Sequence, residues 1–306
     1  MIVKKILTKN FRAFAGTTLI ELSIDNNKPF TIIIGDNGVG KTTICDAVTW
    51  CLFEKINHSP IKTIKNKDAS AEDEVFVEIE VEIEKDLYKI KRIFTNNNVS
   101  LEILKNEKHI KNAENELRQI VPIFLEDAMI ANPENLNQQA FFERQPQARK
   151  NFIFDLLFDS NIKRATHAAV INTFFKNEFT DKFQISIDEQ SKTINIMGPN
   201  GNKDLRVTLG SDDIKVLNIY LILALHALIK KDFSFPIFFD SIFKGLGGDK
   251  QQRLRSLFDR ADFQAIFLEH PSFMDDQIFK ALNEKSSKKY SLKFSPETDY
   301  IKVFNL

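Results

Sequence analysis

Apolar and polar positions alternate most strictly near residue 80. Val75, Val77, Ile79, Val81 and Ile83 fall on one side; Glu74, Glu78, Glu80, Glu82 and Glu84 fall on the other. A period of two predicts a half-buried strand. Lys85-Asp86 then turns the chain, and 87–95 returns with Lys89 and Lys91 placed to face the glutamates. The acidic row reads as a solvated strand face rather than a cation site. Residues 1–9 and 17–24 predict two more strands around a turn at 13–16. The apolar, β-branched run 30–34 predicts a buried parallel strand, and apolar residues at helical spacing follow over 41–53. The polar stretch 54–71, with Lys55, Lys62, Lys65 and Lys67, predicts a surface loop.

Further along, a helical pattern covers 113–120 and stops at Pro122. A second helix is expected at about 146–158, with Pro146 in its first turn, and a third over 166–179. Strands are expected at 182–188 and 193–197, followed by the loop Gly198-Pro199-Asn200-Gly201. A long helix, 211–231, is apolar all round through 219–229, as a buried helix is. Two hydrophobic strands then end in acidic or titratable residues: 235–240 in Asp240, and 265–268 in Glu269-His270. Strands alternating with helices predict an α/β fold whose main sheet is largely parallel, with an antiparallel β subdomain contributed by the alternating segments. The chain shows no internal repeat and no sustained heptad seam.

Composition narrows the function classes. The 42 Lys+Arg and 42 Asp+Glu balance, so any nucleic-acid surface is a local patch rather than a polycation. Lys62, Lys65 and Lys67, or Lys105, Lys108 and Lys111, are the candidate patches, and both read equally well as solvated loops. No apolar run reaches the roughly 18 residues of a membrane span, and the opening residues read as a strand. The only cysteines, Cys45 and Cys51, lie six apart in one predicted helix, which excludes a bridge between them and points to a reducing, cytoplasmic setting. His58, His109, His167 and His226 show no metal-ligand spacing.

Glycine changes the picture most. The chain has 10 glycines, and Gly35, Gly38 and Gly40 crowd one loop. The run Gly35-Asp36-Asn37-Gly38-Val39-Gly40-Lys41-Thr42 matches GxxxxGK[ST] between a predicted strand and a predicted helix. In that context the backbone N–H groups from Asn37 through Thr43 converge on phosphate, Lys41 adds charge, and the Thr42 hydroxyl is a Mg²⁺ ligand. A nucleoside triphosphate, ATP, is the expected ligand. Asp240, closing a hydrophobic strand about 200 residues later, reads either as a helix-capping residue or as the second Mg²⁺-side group; the upstream loop favours the latter.

Asn10-Phe11-Arg12 in the opening strand pair, the loop Ile34 to Thr43, and Asp46-Ala47 in the helix after it together resemble the ATP-binding cassette heads of SMC-like DNA-repair proteins. The SbcC exonuclease subunit, RecF and DndD are of this type. The resemblance spans nearly the whole chain. It implies an N-terminal lobe at 1–158, a junction at 159–166 where relatives insert a coiled coil, and a C-terminal lobe at 167–306. It further implies that Arg12 lies near the phosphates. Gln138 (or Gln139), ahead of Pro146 and Arg149, is the glutamine that senses Mg²⁺. Ser211 opens the signature helix that caps the partner protomer's nucleotide, Asp240 is the Walker B residue, and His270 is the switch histidine.

The departures are as informative. Asp212 and Asp213 replace the two signature glycines, and carboxylates there repel phosphate unless they turn away or hold a cation. Ser241 stands where the family places a catalytic glutamate, Ile242 where DndD-like members have proline, and Gly247 where an aspartate is expected. Glu269 is the substitute candidate for polarising water. The resemblance therefore implies an ATPase head that dimerises around ATP–Mg²⁺ and acts with DNA and with a nuclease or other effector subunit, in repair or antiviral defence. The alternatives are a slow nucleotide-gated scaffold and a transporter ATPase, the last disfavoured by the altered motifs.

Overall fold

The structure is a computed structural model that describes residues 1–56, 64–122, 125–132, 184–188, 193–197, 210–229, 234–259, 261–295 and 300–306. The helices expected at 146–158 and 166–179, the junction 159–166 and the loop at 198–201 lie outside the described residues. The chain divides into two compact units. The first comprises Met1–Ile130, Phe235–Lys244 and Phe258–Leu306; the second comprises Ala131–Ser234 and Gly245–Leu257.

In the first unit, β1 (Ile2–Phe11), β2 (Phe14–Glu21), β3 (Phe30–Gly35), α1 (Lys41–Phe53), β4 (Val75–Ile83), β5 (Asp86–Thr95), β6 (Asn98–Lys105) and β7 (Lys108–His109) follow in order. Then come α2 (Ala113–Ile120), α3 (Leu125–Ala128) and the short β8 (Ile130–Ala131). An antiparallel sheet runs β2-β1-β4-β5-β6-β7. The alternation at 75–83 is realised there: Val75, Val77, Ile79 and Val81 are all buried. Register sets Glu78 opposite Lys91 and Glu80 opposite Lys89. Lys91 also lies over the Phe76 ring, Nζ 4.2 Å from its centroid.

Two expectations need correcting. The β1–β2 turn is tighter than 13–16, because β2 begins at Phe14. Nor is 54–71 simply a surface loop. Ile64 and Asn66 are buried, the Arg12 N–H donates to the Ile64 carbonyl at 2.7 Å, and Asn66 N–H donates to the Asn10 carbonyl at 2.8 Å. Polar composition hid this because the contacts are mostly backbone.

The remaining described elements are β9 (Gln184–Asp188), β10 (Thr193–Met197), α4 (Ser211–Ile229), β11 (Ile237–Asp240), α5 (Gly248–Asp259), β12 (Ala265–Glu269), a 3₁₀ turn (Pro271–Phe273), α6 (Asp276–Glu284), β13 (Ser286–Ser295) and β14 (Tyr300–Asn305). The second sheet runs β14-β13-β3-β12-β11-β8, with β13, β3, β12 and β11 mutually parallel. α1 packs against strands of both sheets, so it is buried on nearly every side, from Ile44 through Leu52. Phe30, Phe239, Phe258 and Phe267 form the aromatic core beneath the parallel sheet, with Phe239 and Phe267 stacked at 5.0 Å. The buried Gln264 amide ties β1 to the start of β12: its Oε1 accepts from Val3 N–H at 2.9 Å and its Nε2 donates to the Val3 and Ser23 carbonyls.

In the second unit β9 and β10 form an antiparallel hairpin, and α4 is the principal described helix. Its apolar side chains Val216, Leu217, Ile219, Ile222 and Leu223 are buried.

Candidate nucleotide site

Parallel strands deliver their C-terminal ends to one edge of a sheet, where ligands of such folds bind. Here register aligns Asp240 with Leu268, and Glu269 with Ile34, one residue before Gly35. The loop Gly35–Gly40 therefore leaves β3 beside the carboxylates that close β11 and β12. Gly40 sits at the start of α1 with φ +84°, and Gly38 has the same φ; both are left-handed positions that favour glycine. Gly35 is required for another reason. A Cβ there would meet Val39 Cγ2 at 2.6 Å and the Leu292 carbonyl of β13 at 2.9 Å.

Lys41 Nζ donates to the Gly35 and Asp36 carbonyls, both at 2.7 Å, and is held inside the loop. Burial pulls its pKa below the ordinary lysine value, and the charges of Asp240, Glu269 and Asp36 oppose that shift. Thr42 Oγ1 donates to Asp240 Oδ2 at 2.7 Å. A hydroxyl and a buried carboxylate in contact at the mouth of a phosphate loop are hard oxygen donors of the kind Mg²⁺ takes, so the residues present fit an ATP–Mg²⁺ pair. Asn37, Gly38, Val39 and Thr43 complete the loop and the first turn of α1, as the motif requires.

The flanking groups are also located. Arg12, with φ +49°, forms an ion pair with Asp46 of α1. It is further fixed by Asn66 Nδ2 donating to its carbonyl. The Gly40 position looks onto the Ala13 and Phe14 side chains, so the β1–β2 turn packs on the phosphate loop. Ser241 takes φ +56°, unusual for a residue with a side chain, and its hydroxyl donates to Asp240 Oδ1 at 3.2 Å. Glu269 is fully buried; its Oε1 accepts from the N–H groups of Ile242 at 2.7 Å and Phe243 at 3.4 Å, anchoring the turn after Asp240. His270 Nε2 lies 3.4 Å from Asp36 Oδ1. Sequence reasoning read Asp36 only as a spacer of the loop motif and gave Asn66 no part at all, since nothing in the polar stretch 54–71 signals its contact with Arg12.

In the second unit, Ser211 opens α4 and is exposed, its hydroxyl 3.4 Å from Asp212 Oδ1. The two carboxylates expected to repel phosphate have a cation: Lys250 Nζ, in the first turn of α5, lies 3.2 Å from Asp213 Oδ1 and 3.9 Å from Asp212 Oδ2. Gln138 and Gln139 lie outside the described residues, as does Lys62. Among the candidate DNA lysines, Lys65 donates to the Ala71 carbonyl, Lys67 pairs with Asp68, and Lys105 pairs with Asp86 at 2.7 Å. Among the described residues there is no further cluster of His, Cys, Asp and Glu suited to a metal, and no helix is long and apolar enough to cross a membrane.

The sequence profile described as an AAA domain matches residues 5–304. The chain belongs to that family. Its α/β fold is that of SMC head domains: an SMC head bound to the C-winged helix domain of ScpA superposes with TM-score 0.72, at 18% identity over 100% of this chain and 98% of that one. The ATP complex of the recombination mediator RecF gives TM-score 0.64, at 13% identity over 100% and 97% of the two chains. In sequence the chain is similar to the DNA double-strand break repair Rad50 ATPase of Methanococcus maripaludis, 36% identical over 93 residues. That match spans 30% of this chain and 9% of the relative.

Proposed function

We propose that this AAA-family head binds and hydrolyses ATP with Mg²⁺, dimerises around two nucleotides, and couples nucleotide state to DNA binding or processing in repair or antiviral defence. The observation that carries the reading is the convergence of Lys41, Thr42 and Asp240 at the C-terminal edge of the parallel sheet. The Rad50 and RecF likenesses supply the DNA-repair direction. Lys41 and the loop amides hold the phosphates, Arg12 braces the loop through Asp46, and Thr42 and Asp240 hold the cation, with Gln138 as a further candidate ligand. Bound Mg²⁺ supplies charge neutralisation to the terminal phosphates. His270 faces the loop through Asp36, and Ser211 with its helix is the surface offered to a second protomer. A nuclease or other effector is the expected partner, in the cytoplasm.

A second reading has an observation of its own. Glu269 Oε1 anchors the turn after Asp240, and α4 opens on Asp212 and Asp213; both features favour a slow, nucleotide-gated switch over rapid hydrolysis. ATP turnover of the intact chain, with and without double-stranded DNA and beside Lys41→Ala, separates the two. DNA-stimulated turnover lost in the variant supports the ATPase. Tight Mg²⁺-dependent binding without turnover supports the switch. Glu269→Gln refines the result: an unchanged rate assigns Glu269 to anchoring alone.

A further inference from the structure

A carboxylate in a loop built to bind anions is out of place unless something turns it aside. Asp36 is such a residue, second in the phosphate loop and with a side chain 86% exposed. Its charge acts on Lys41, and its own carbonyl accepts from Lys41 Nζ. On the other side its carboxylate reaches His270, 3.4 Å from Nε2.

The protonation of His270 follows from its other nitrogen. The Ser272 backbone N–H donates to Nδ1 at 3.1 Å, and the Ser272 hydroxyl lies 2.6 Å from the same atom. A ring nitrogen that accepts from an N–H carries no proton, so in the neutral ring the proton sits on Nε2, the atom that faces Asp36. The ring is further steadied by Phe273, centroids 4.9 Å apart. Lys41 and His270 thus meet at one residue, the lysine on its carbonyl and the histidine on its carboxylate.

We propose that Asp36 occupies His270 in place of a nucleotide's terminal phosphate, so that a triphosphate must displace it where a diphosphate need not, making Asp36 a determinant of triphosphate-over-diphosphate preference. The inference rests on the nucleotide reading above. A third phosphate reaching past Lys41 presents oxygens that compete with Asp36 for the Nε2–H donor, and Asp36, being exposed, swings into water.

Calorimetric titration of the intact chain with Mg²⁺–ADP and with a non-hydrolysable Mg²⁺–ATP analogue tests this. In Asp36→Asn the preference for the analogue over ADP rises about two- to fivefold, the range of a weak, solvent-facing polar contact. In a His270→Ala background the same substitution changes the ratio by less than about 1.5-fold, because no pair remains to be broken. An equal gain in both backgrounds, or none in either, overturns the inference. So does a ¹H–¹⁵N correlation that places the neutral His270 proton on Nδ1. If neither the wild type nor Lys41→Ala binds the analogue, the nucleotide reading fails with it; binding with an unmoved ratio overturns the Asp36 inference alone.

Discussion

Helices α1 and α4 each begin directly after a glycine, and their opening turns are opposite in charge. α1 follows Gly40 with no acidic residue in its first turn and no side-chain cap, so its N–H groups and its Lys41 remain for an external anion. α4 follows Gly210 with Asp212 and Asp213 in its first turn, so its positive end is already met by its own carboxylates, which Lys250 in turn holds. A helix start binds phosphate only as far as the chain leaves it unfilled. Glycine spacing marks the first start as the proposed phosphate site. The second, read against the SMC-like pattern, keeps the serine and lysine but fills the space the glycines leave open.

Lys41→Ala attacks the open start most directly. It is expected to weaken nucleotide binding about 10- to 100-fold, the range of lost hydrogen bonds to a charged group, measured by titration with the Mg²⁺–ATP analogue. Asp240→Asn removes the carboxylate that Thr42 contacts, and about a tenfold loss of binding, seen only with Mg²⁺ present, is the expected result. Equal losses with and without Mg²⁺ would remove Asp240 from the cation side.

Converting the filled start to an open one is the sharper test. In Asp212→Gly/Asp213→Gly, ATP-dependent association of the chain, followed by light scattering, and ATP turnover both rise several-fold if those carboxylates restrain closure. Lys250→Ala in the wild-type background lowers the same quantities and becomes silent in the double-glycine background, because its partners are gone. An unchanged association in the glycine variant would mean that α4 does not meet phosphate. Arg12→Ala has a smaller effect, about 1 kcal/mol of stability and a Tm lower by a few degrees, since Arg12 is partly exposed while Asp46 is buried. Least affected of all are the α1 thiols. Burial pushes the Cys51 thiol up to about 12, with Arg92 partly opposing, and burial, with the charges of Asp240 and Asp46, raises Cys45 well above the ordinary thiol value. Neither reacts with an alkylating reagent near neutral pH until denaturant opens the fold.

Much of this was legible because its signals are local. The alternation at 75–83 needs only a two-residue period, and the loop motif only the eight residues Gly35–Thr42 that join a strand to a helix. α2 was legible at both ends, opening after Asn112, whose side chain accepts from Asn115 N–H, and stopping before Pro122. β13 was not. Its Ser286–Ser295 sequence is mostly serine and lysine, and Lys288 pairs with Glu21 at 2.9 Å, so it lacks the apolar run that marks β3, β11 and β12. Yet β13 walls the phosphate loop through Leu292 and Gly35. Lys250 was hidden for the same reason: nothing near residue 212 announces a cation that the fold brings from 38 positions downstream.

The strand that carries the phosphate loop has both of its neighbours late in the chain, β12 on one side and β13 on the other. The antiparallel sheet, apart from the long connection between β2 and β4, is stitched from adjacent hairpins, whereas β3 cannot pair until residues beyond Ala265 have been made. During synthesis the nucleotide loop thus leaves the ribosome attached to an apolar strand with two open edges. Closing that sheet requires a long-range loop, which is slow and leaves sticky strand edges exposed in the interval. Substitutions that weaken β12 or β13 should therefore reduce soluble yield during expression even where the finished protein, once assembled, tolerates them.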